Sequence, residues 1–163
     1  MAHIFISIGS NINRRFHIQA AVSELKQHFG AVELSSVYES EAVGFDGNAF
    51  YNLVAAAKTD LSIAQCVSVF KQIEDSYGRD RSSARFSGRT LDLDLLTYDD
   101  VVCQQPVELP RAEITENAFV LWPLAELAPD VIHPGSGQSY ASLWQQYDKP
   151  QKLWPVPFEW SSK

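Results

Sequence analysis

Cysteine is scarce in this sequence, and long apolar runs are absent from it. Cys66 and Cys103 stand far apart with no CxxC pair, which argues against both a disulfide framework and a zinc site. No apolar stretch approaches the roughly 18 residues that a membrane-spanning helix needs. The first residues, MAHIFISIGSN, lack the charged start and the apolar stretch of a secretory signal peptide. We therefore expect a soluble, cytoplasmic protein.

Positive charge is also in short supply. The 163 residues include 13 Lys and Arg against 20 Asp and Glu, which gives a net charge of −7. This balance argues against a nucleic-acid or membrane surface, which would need an extended basic face. With 45% hydrophobic residues, the chain suits a single domain spanning residues 1–163. A domain near this length buries roughly 68–70% of its unfolded surface, enough for a core without disulfides.

One basic segment stands out against this acidic background. Residues 79–89 contain four arginines and no lysine. Like charges in one loop repel each other unless an anion lies among them. Guanidinium groups bind phosphate oxygens two at a time, which suits an anion site. The alternative interpretation of this segment is a loop whose charges are simply hydrated. The concentration of arginine favours an anion site formed by Arg79, Arg81, Arg85 and Arg89.

Two aspartates alternate with leucines directly after this segment. In a strand, Leu91, Leu93 and Leu95 would share one face, while Asp92 and Asp94 would share the other. Carboxylates two residues apart on a strand lie roughly 6.5–7 Å from each other, close enough to bind one divalent ion or a pair of ions. Taken alone, this pattern is more often the hydrated face of a half-buried strand. Beside four arginines it indicates a Mg²⁺ and polyphosphate site.

The periodicity of the chain predicts an α+β fold. Strand-like and helix-like segments alternate in the order strand, helix, strand, strand, helix, strand, which is the ferredoxin-like βαββαβ core with an antiparallel sheet. The predicted strands are 3–8, 32–38, 50–58 and 90–98, and the predicted helices are 15–29 and 61–77. Asn11 or Asn13 would cap the first helix, Gly30 would end it, and Gly78 would end the second.

The second half of the sequence predicts a C-terminal hairpin and helical appendage. Asp99 and Asp100 suit a hairpin turn into 101–103. A helix is expected over 116–127, although Pro123 should start or kink a turn there, and another is expected over 139–147. If the leucines of 91–95 pack under the helices, Asp92 and Asp94 face a cleft.

Three motifs give this chain a resemblance to a known family. They are GSN at 9–11, RTLDLDLL at 89–96 and FVLWPLAELAPD at 119–130. Together they are similar to the motifs of the 6-hydroxymethyl-7,8-dihydropterin pyrophosphokinase family. The resemblance implies transfer of pyrophosphate from ATP to a pterin hydroxymethyl group, release of AMP, and two Mg²⁺ ions as cofactors. ATP and the pterin would be the partners, with no role for nucleic acid or membrane.

The resemblance also implies roles for individual residues. Asp92 and Asp94 match the metal ligands, and Arg79, Arg81, Arg85 and Arg89 match the arginines of the catalytic loop and its base. On the nucleotide side the matches are Glu74, Arg81, Phe86, Arg89 and Arg111. The pterin pocket maps onto Ser40, Val43, Phe50, Asn52 and Phe119. Without the family, Phe50 and Phe119 would be assigned to the core, Asn52 to a strand end, and Asn11 to a helix N-cap.

Several positions depart from the family pattern. On the nucleotide side the usual arginines, threonine, histidine and tyrosine are replaced by Pro106, Glu108, Arg111, Ala112 and Asn117. This loss should weaken the hold on the triphosphate, although Arg111 could partly compensate. It motivates one rival, a pterin-binding paralogue with weak or lost activity. A second rival, a ferredoxin-like RNA-binding module, is opposed by the net acidity and by the lack of an aromatic stripe.

Overall fold

A computed structural model of the chain describes residues 1–40, 49–77, 91–158 and 160. The described elements alternate between strands and helices over the first hundred residues and become mainly helical afterwards. In chain order they are β1 (Ala2–Ser10), α1 (Arg14–Phe29), β2 (Glu33–Leu34), β3 (Val37–Ser40), β4 (Phe50–Thr59), α2 (Ile63–Ser76), β5 (Asp92–Tyr98), α3 (Glu113–Glu116), α4 (Ala118–Leu127), α5 (Tyr140–Gln146) and β6 (Leu153–Val156).

The strands form one six-stranded sheet. Its order is β5-β1-β4-β3-β6, with β2 also paired to β4, and every pairing is antiparallel. When β2 and β3 are counted as one interrupted strand, β1 to β5 with α1 and α2 make the predicted ferredoxin-like βαββαβ core. The α+β prediction is therefore confirmed. The sheet also gains β6 at the β3 edge.

Ser35 explains why the strand predicted over 32–38 is interrupted. Its backbone N–H donates to the Val54 carbonyl at 2.9 Å, and its Oγ accepts the Val54 N–H at 2.9 Å. A side-chain oxygen thus replaces a backbone carbonyl in the ladder, as serine side chains can do. Two short strands result, both of which hydrogen-bond to β4.

The sheet is buried on both faces. One face packs under α1 and α2, where Ile6, Leu25, Leu53 and Phe70 belong to one hydrophobic cluster. The other face packs under α3, α4 and α5, where residues such as Phe5 belong to a second cluster. Because each strand sends alternate side chains to opposite faces, β1 and β4 contribute to both clusters. The protein therefore has three layers.

The ends of α1 and α2 follow local chemistry. Gly30 adopts a positive φ of 79° and its N–H donates to the Lys26 carbonyl, so it ends α1 as predicted. Of the two candidate caps, Asn13 takes the N-cap position without a side-chain hydrogen bond, while Asn11 is buried two residues earlier. The N-cap assignment for Asn11 is therefore wrong. The predicted end of α2 at Gly78 lies outside the described residues.

Two predictions for the second half need correction. Residues 101–103 do not form a hairpin strand with β5. Instead, Asp99 and His3 exchange two hydrogen bonds of 2.8 and 2.7 Å, which tie the turn to β1, and Cys103 makes an isolated bridge to Leu109. The helix expected over 116–127 is α4, which begins at Ala118 after the short α3. Pro123 does not start or interrupt it, because α4 is continuous through this residue. Within the described ranges, no helix is long and apolar enough to cross a membrane.

Candidate active site

Asp92 and Asp94 lie on β5, the edge strand next to β1. Leu91, Leu93 and Leu95 are buried in the cluster under α1 and α2, whereas the two aspartates are only partly buried on the opposite face. The predicted alternation is confirmed. Asp94 keeps 42% of its side chain exposed, so water and ligands can reach it. Both carboxylates therefore lie on the α4 side of the sheet.

Arg111 is attached to β5 by three hydrogen bonds. Its backbone N–H donates to the Leu96 carbonyl at 3.0 Å, and its Nε donates to the Leu95 carbonyl at 3.1 Å. Its Nη2 lies 3.4 Å from Asp94 Oδ1, which makes a partly exposed ion pair. Arg111 thus lies beside the aspartate pair and orients one of its carboxylates.

Glu113 is a third carboxyl group near this pair, which sequence reasoning overlooked. Its pKa is raised, first by burial and then by the charge of Asp94; Arg111 opposes that rise and Asp92 adds to it. Glu113 opens α3, about twenty residues after the LDLD motif, and no spacing rule links the two. Only the return of the chain past β5 brings these groups together.

The pair can be tested as a magnesium site from its own chemistry. Carboxylate oxygens are the hard ligands that Mg²⁺ prefers, and Mg²⁺ sites commonly use one or two carboxylates plus phosphate oxygens and water. Among the described residues, no group of three or more His, Cys, Asp or Glu side chains is arranged to hold a metal alone. Asp92 and Asp94 therefore fit a site that a nucleotide completes, rather than an all-protein cage.

Glu74 connects α2 to the strand that carries the aspartates. It is buried, with 7% exposure, and its Oε2 accepts the Leu93 backbone N–H at 2.8 Å. Leu93 lies between Asp92 and Asp94 on the outer edge of the sheet. The carboxylate therefore satisfies a strand-edge donor, and its expected nucleotide contact stays a prediction.

A polar pair lies two and three strands away from the aspartates. Asn52 of β4 and Ser40 of β3 are both buried, and Asn52 Nδ2 donates to Ser40 Oγ at 3.3 Å. The register places Asn52 opposite Gly9, and Gly9 opposite Asp92, so these three residues form one row across the sheet. A pocket for a polar ligand beside the aspartates would lie along this row.

Gly9 leaves room for the Asn52 amide. A Cβ added at Gly9 would lie 2.7 Å from Asn52 Oδ1, closer than real Cβ atoms approach an oxygen. Only glycine lets the two strands pair while the amide keeps its position. The close approach of the Asn52 amide therefore explains why the first residue of the GSN motif is glycine.

The two predicted aromatic residues lie on the same side of the sheet as this row. Phe50 begins β4 and shares the Asn52 side of the sheet by alternation, while Phe119 is the second residue of α4. Both side chains are partly buried, and Phe119 packs against the cluster under α3–α5. The α4 helix is in turn held to β3 because Glu126 accepts hydrogen bonds from Ser36 and from the Tyr38 hydroxyl at 2.6 Å.

The remaining predicted site residues lie outside the described part of the chain. They are Val43, Arg79, Arg81, Arg85, Phe86 and Arg89. Of the predicted residues that are described, Asp92, Asp94 and Asn52 are on one face of one sheet. Arg111 and Glu74 contact β5 on either side of the aspartates.

The fold and the site together define a class. This is a ferredoxin-like α+β protein with a carboxylate pair beside a polar and aromatic row, as expected for an enzyme that acts on a small organic substrate. The sequence model of one family, 7,8-dihydro-6-hydroxymethylpterin-pyrophosphokinase, matches residues 5–129. The chain belongs to this family.

Individual relatives agree with this assignment. The chain is 34% identical over 138 residues to 2-amino-4-hydroxy-6-hydroxymethyldihydropteridine pyrophosphokinase of Aquifex aeolicus, covering 82% of this chain and 85% of that one. The protein of the same name from Bacillus subtilis is 35% identical over 152 residues, with 87% and 90% covered. A crystal structure of Plasmodium falciparum HPPK-DHPS shares the fold, with a TM-score of 0.73, 13% identity, and coverage of 90% of this chain and 42% of that one.

Proposed function

We propose that this chain transfers pyrophosphate from ATP to 6-hydroxymethyl-7,8-dihydropterin and releases AMP, as a pyrophosphokinase of folate biosynthesis. Family membership over residues 5–129 supports the activity class, as do relatives that carry this enzyme name. The observation that carries the proposal is the row of Asp92, Gly9 and Asn52 on one sheet face. It puts candidate metal ligands and a candidate pterin contact on the same surface. We place the reaction in the cytoplasm, where ATP is available.

Asp92 and Asp94 would hold two Mg²⁺ ions. Bound there, magnesium would neutralise charge on the ATP phosphates and polarise the reacting phosphorus. The residues of the chain would act mainly by positioning the reacting groups. The buried leucines that alternate with the aspartates fix the direction of both carboxylates, and Arg111 holds Asp94 from the side. Reactions of this kind depend chiefly on positioning and on charge stabilisation.

The arginines would act on the nucleotide. Arg79, Arg81, Arg85 and Arg89 directly precede β5, so their side chains arise next to the aspartates in sequence. Each guanidinium group would bind two phosphate oxygens of the nucleotide, and together these groups would shield the phosphates from water. Glu74, Phe86 and Arg111 would complete the nucleotide side.

The pterin would bind along the Asn52 row. An asparagine amide offers a donor and an acceptor to a lactam edge, which an apolar pocket cannot imitate. Phe50 and Phe119 would stack on the two faces of the flat bicyclic ring. Ser40, which already accepts a hydrogen bond from Asn52, and Val43 would contribute backbone contacts.

A pterin-binding paralogue without turnover remains the rival to test. The replacements at Pro106, Glu108, Ala112 and Asn117 motivated it, but the family and the names of the relatives favour an active pyrophosphokinase. Arg111 supplies a cation in this region, and its side chain contacts Asp94 and the Leu95 carbonyl.

An AMP-release assay tests the proposal. Purified protein would be incubated with ATP, hydroxymethyl-dihydropterin and Mg²⁺, with pterin omitted in one arm and Mg²⁺ replaced by EDTA in another. We expect stoichiometric AMP and pterin diphosphate only when all three components are present. Pterin binding by calorimetry without AMP release would instead support the paralogue, and AMP release with EDTA would exclude the proposed role of the metal.

A further inference from the structure

Arg14 connects the ends of two strands that carry pterin-side residues. Its Nη1 donates to Glu39 Oε2 at 2.6 Å and to the Ala49 carbonyl at 3.0 Å. Its guanidinium also lies 3.9 Å from the centre of the Tyr51 ring, a cation–π contact. Glu39 comes directly before Ser40, and Ala49 comes directly before Phe50. One side chain from the start of α1 therefore holds both positions.

The C-terminal strand adds a second donor to the same carboxylate. β6 pairs with β3 so that Trp154 lies opposite Glu39 and Leu153 opposite Ser40. Trp154 Nε1 donates to Glu39 Oε1 at 3.1 Å. Each Glu39 oxygen thus has its own donor, one from α1 and one from β6. We call Arg14, Glu39 and Trp154 the Glu39 clamp.

The clamp lies on the opposite side of the sheet from the pterin row. Successive residues of a strand point to opposite faces, so Glu39 points toward α1 while Ser40 points toward α4. Tyr51 and Phe50 alternate in the same way, and Tyr51 packs on the α1 side. The clamp therefore does not compete with a ligand for space. It acts on Ser40 and Phe50 through the backbone.

We propose that Arg14 and Trp154 are positioning residues for the pterin, because they fix the strand ends from which Ser40 and Phe50 project. This inference rests on the proposed pterin site. Strand ends fray unless side chains hold them. A charge-assisted bond between side chains that are only 26% and 24% exposed resists that fraying better than a fully exposed pair. The Asn52–Ser40 hydrogen bond transmits the restraint to the amide.

The effect of the clamp on the fold as a whole is expected to be small. The two hydrophobic clusters that hold the sheet between helices do not include Arg14, Glu39 or Trp154. Removing the clamp should leave the protein folded and the aspartate pair intact, because β5 lies at the other edge of the sheet. Pterin affinity should change and nucleotide affinity should not. If the clamp only stabilised the fold, its removal would lower pterin affinity, nucleotide affinity and stability together.

The test compares Arg14→Gln, Glu39→Gln and Trp154→Phe by calorimetry and kinetics. We expect each variant to raise the Kd and KM for hydroxymethyl-dihydropterin. The rise should be about tenfold for Arg14→Gln, which corresponds to one hydrogen bond lost between the misplaced strand ends and the pterin. The Kd for an unreactive Mg-ATP analogue and kcat at saturating pterin should stay within about twofold, which marks lost binding rather than lost chemistry. Arg14→Lys, which keeps the charge, should recover part of the affinity.

Two control variants separate this role from general damage. Arg15→Gln removes the same charge from the next residue, whose described contact is with the Phe158 ring. Ser139→Ala removes the hydroxyl that accepts the Ser142 N–H at the start of α5, so it lowers stability without changing the clamp. Both should bind the pterin like the parent.

Three outcomes are distinguishable. If the parent protein binds no pterin, the proposed function itself fails. If the parent binds and the clamp variants bind equally well, or if pterin and nucleotide affinities fall together in proportion to stability, the positioning role is overturned while the function stands. A selective loss of pterin affinity in the clamp variants, absent from both controls, supports it.

Discussion

Replacing Gly9 with alanine would disturb the Asn52 amide without touching any other proposed site residue. The new Cβ would lie 2.7 Å from Asn52 Oδ1, and ordinary contact begins at 3.4 Å, so the amide must shift by about 0.7 Å. Its hydrogen bond to Ser40 Oγ is already 3.3 Å long and would be lost. The displaced amide would also lose its hydrogen bond to the edge of the pterin, and a hydrogen bond lost at a buried group costs about 1–3 kcal/mol, so the Kd for the pterin should rise roughly 5- to 150-fold.

Calorimetry on Gly9→Ala with the pterin and, separately, with an unreactive Mg-ATP analogue would measure this effect. Nucleotide affinity should be unchanged, while overpacking should lower the free energy of unfolding in urea by about 1–3 kcal/mol. Asn52→Ser in the same chain removes the crowded oxygen. The double variant should therefore recover stability and bind the pterin no worse than Asn52→Ser alone. Parental pterin affinity in Gly9→Ala would refute the role given to Asn52.

Three further predictions concern the metal site, a helix cap and a titrating group. Asp94→Asn should lower the rate of AMP release by at least about 10³-fold, because several kcal/mol of metal-borne stabilisation are lost. Asp100→Asn on the exposed turn is the control and should match the parent. Equal rates for Asp94→Asn and the parent would contradict this prediction. Ser62→Ala should lower the urea unfolding free energy by about 1 kcal/mol, because Ser62 and Gln65 exchange two capping hydrogen bonds of 3.2 and 2.8 Å; an unchanged midpoint would count against it. Glu113→Gln should stabilise the metal-free protein at neutral pH, because the raised pKa of Glu113 makes its ionisation unfavourable in the folded state. That gain should vanish below the pKa of an unfolded glutamate, where both states are protonated, and urea unfolding at pH 7 and pH 4 would show whether it does.

Periodicity predicted the core and one face of the site correctly. Alternation in LDLDL is strict, and a half-buried edge strand obeys it because a shift of one residue would bury both aspartates. The burial of Leu93 and the partial exposure of Asp94 follow directly. The helical stripes of α1 and α2 were equally clear, and Gly30 marked a true end.

Other features depend on long-range contacts that no local pattern encodes. β6 was not expected, because a segment rich in proline and tryptophan forms a strand only by pairing with the β3 edge. Ser35 interrupts its strand through a side-chain bond to β4. Glu113 joins the aspartates only after the chain returns past β5. The clamp at Glu39 likewise joins three distant segments.

The most direct test of the account is a crystal of the protein soaked with Mn²⁺, as a magnetic and anomalous substitute for Mg²⁺, and an unreactive ATP analogue. We predict anomalous peaks within about 2.3 Å of carboxylate oxygens of Asp92 and Asp94, each shared with phosphate oxygens of the nucleotide. Peaks elsewhere, or a nucleotide bound with both carboxylates free of metal, would contradict the claim that this pair assembles the reaction.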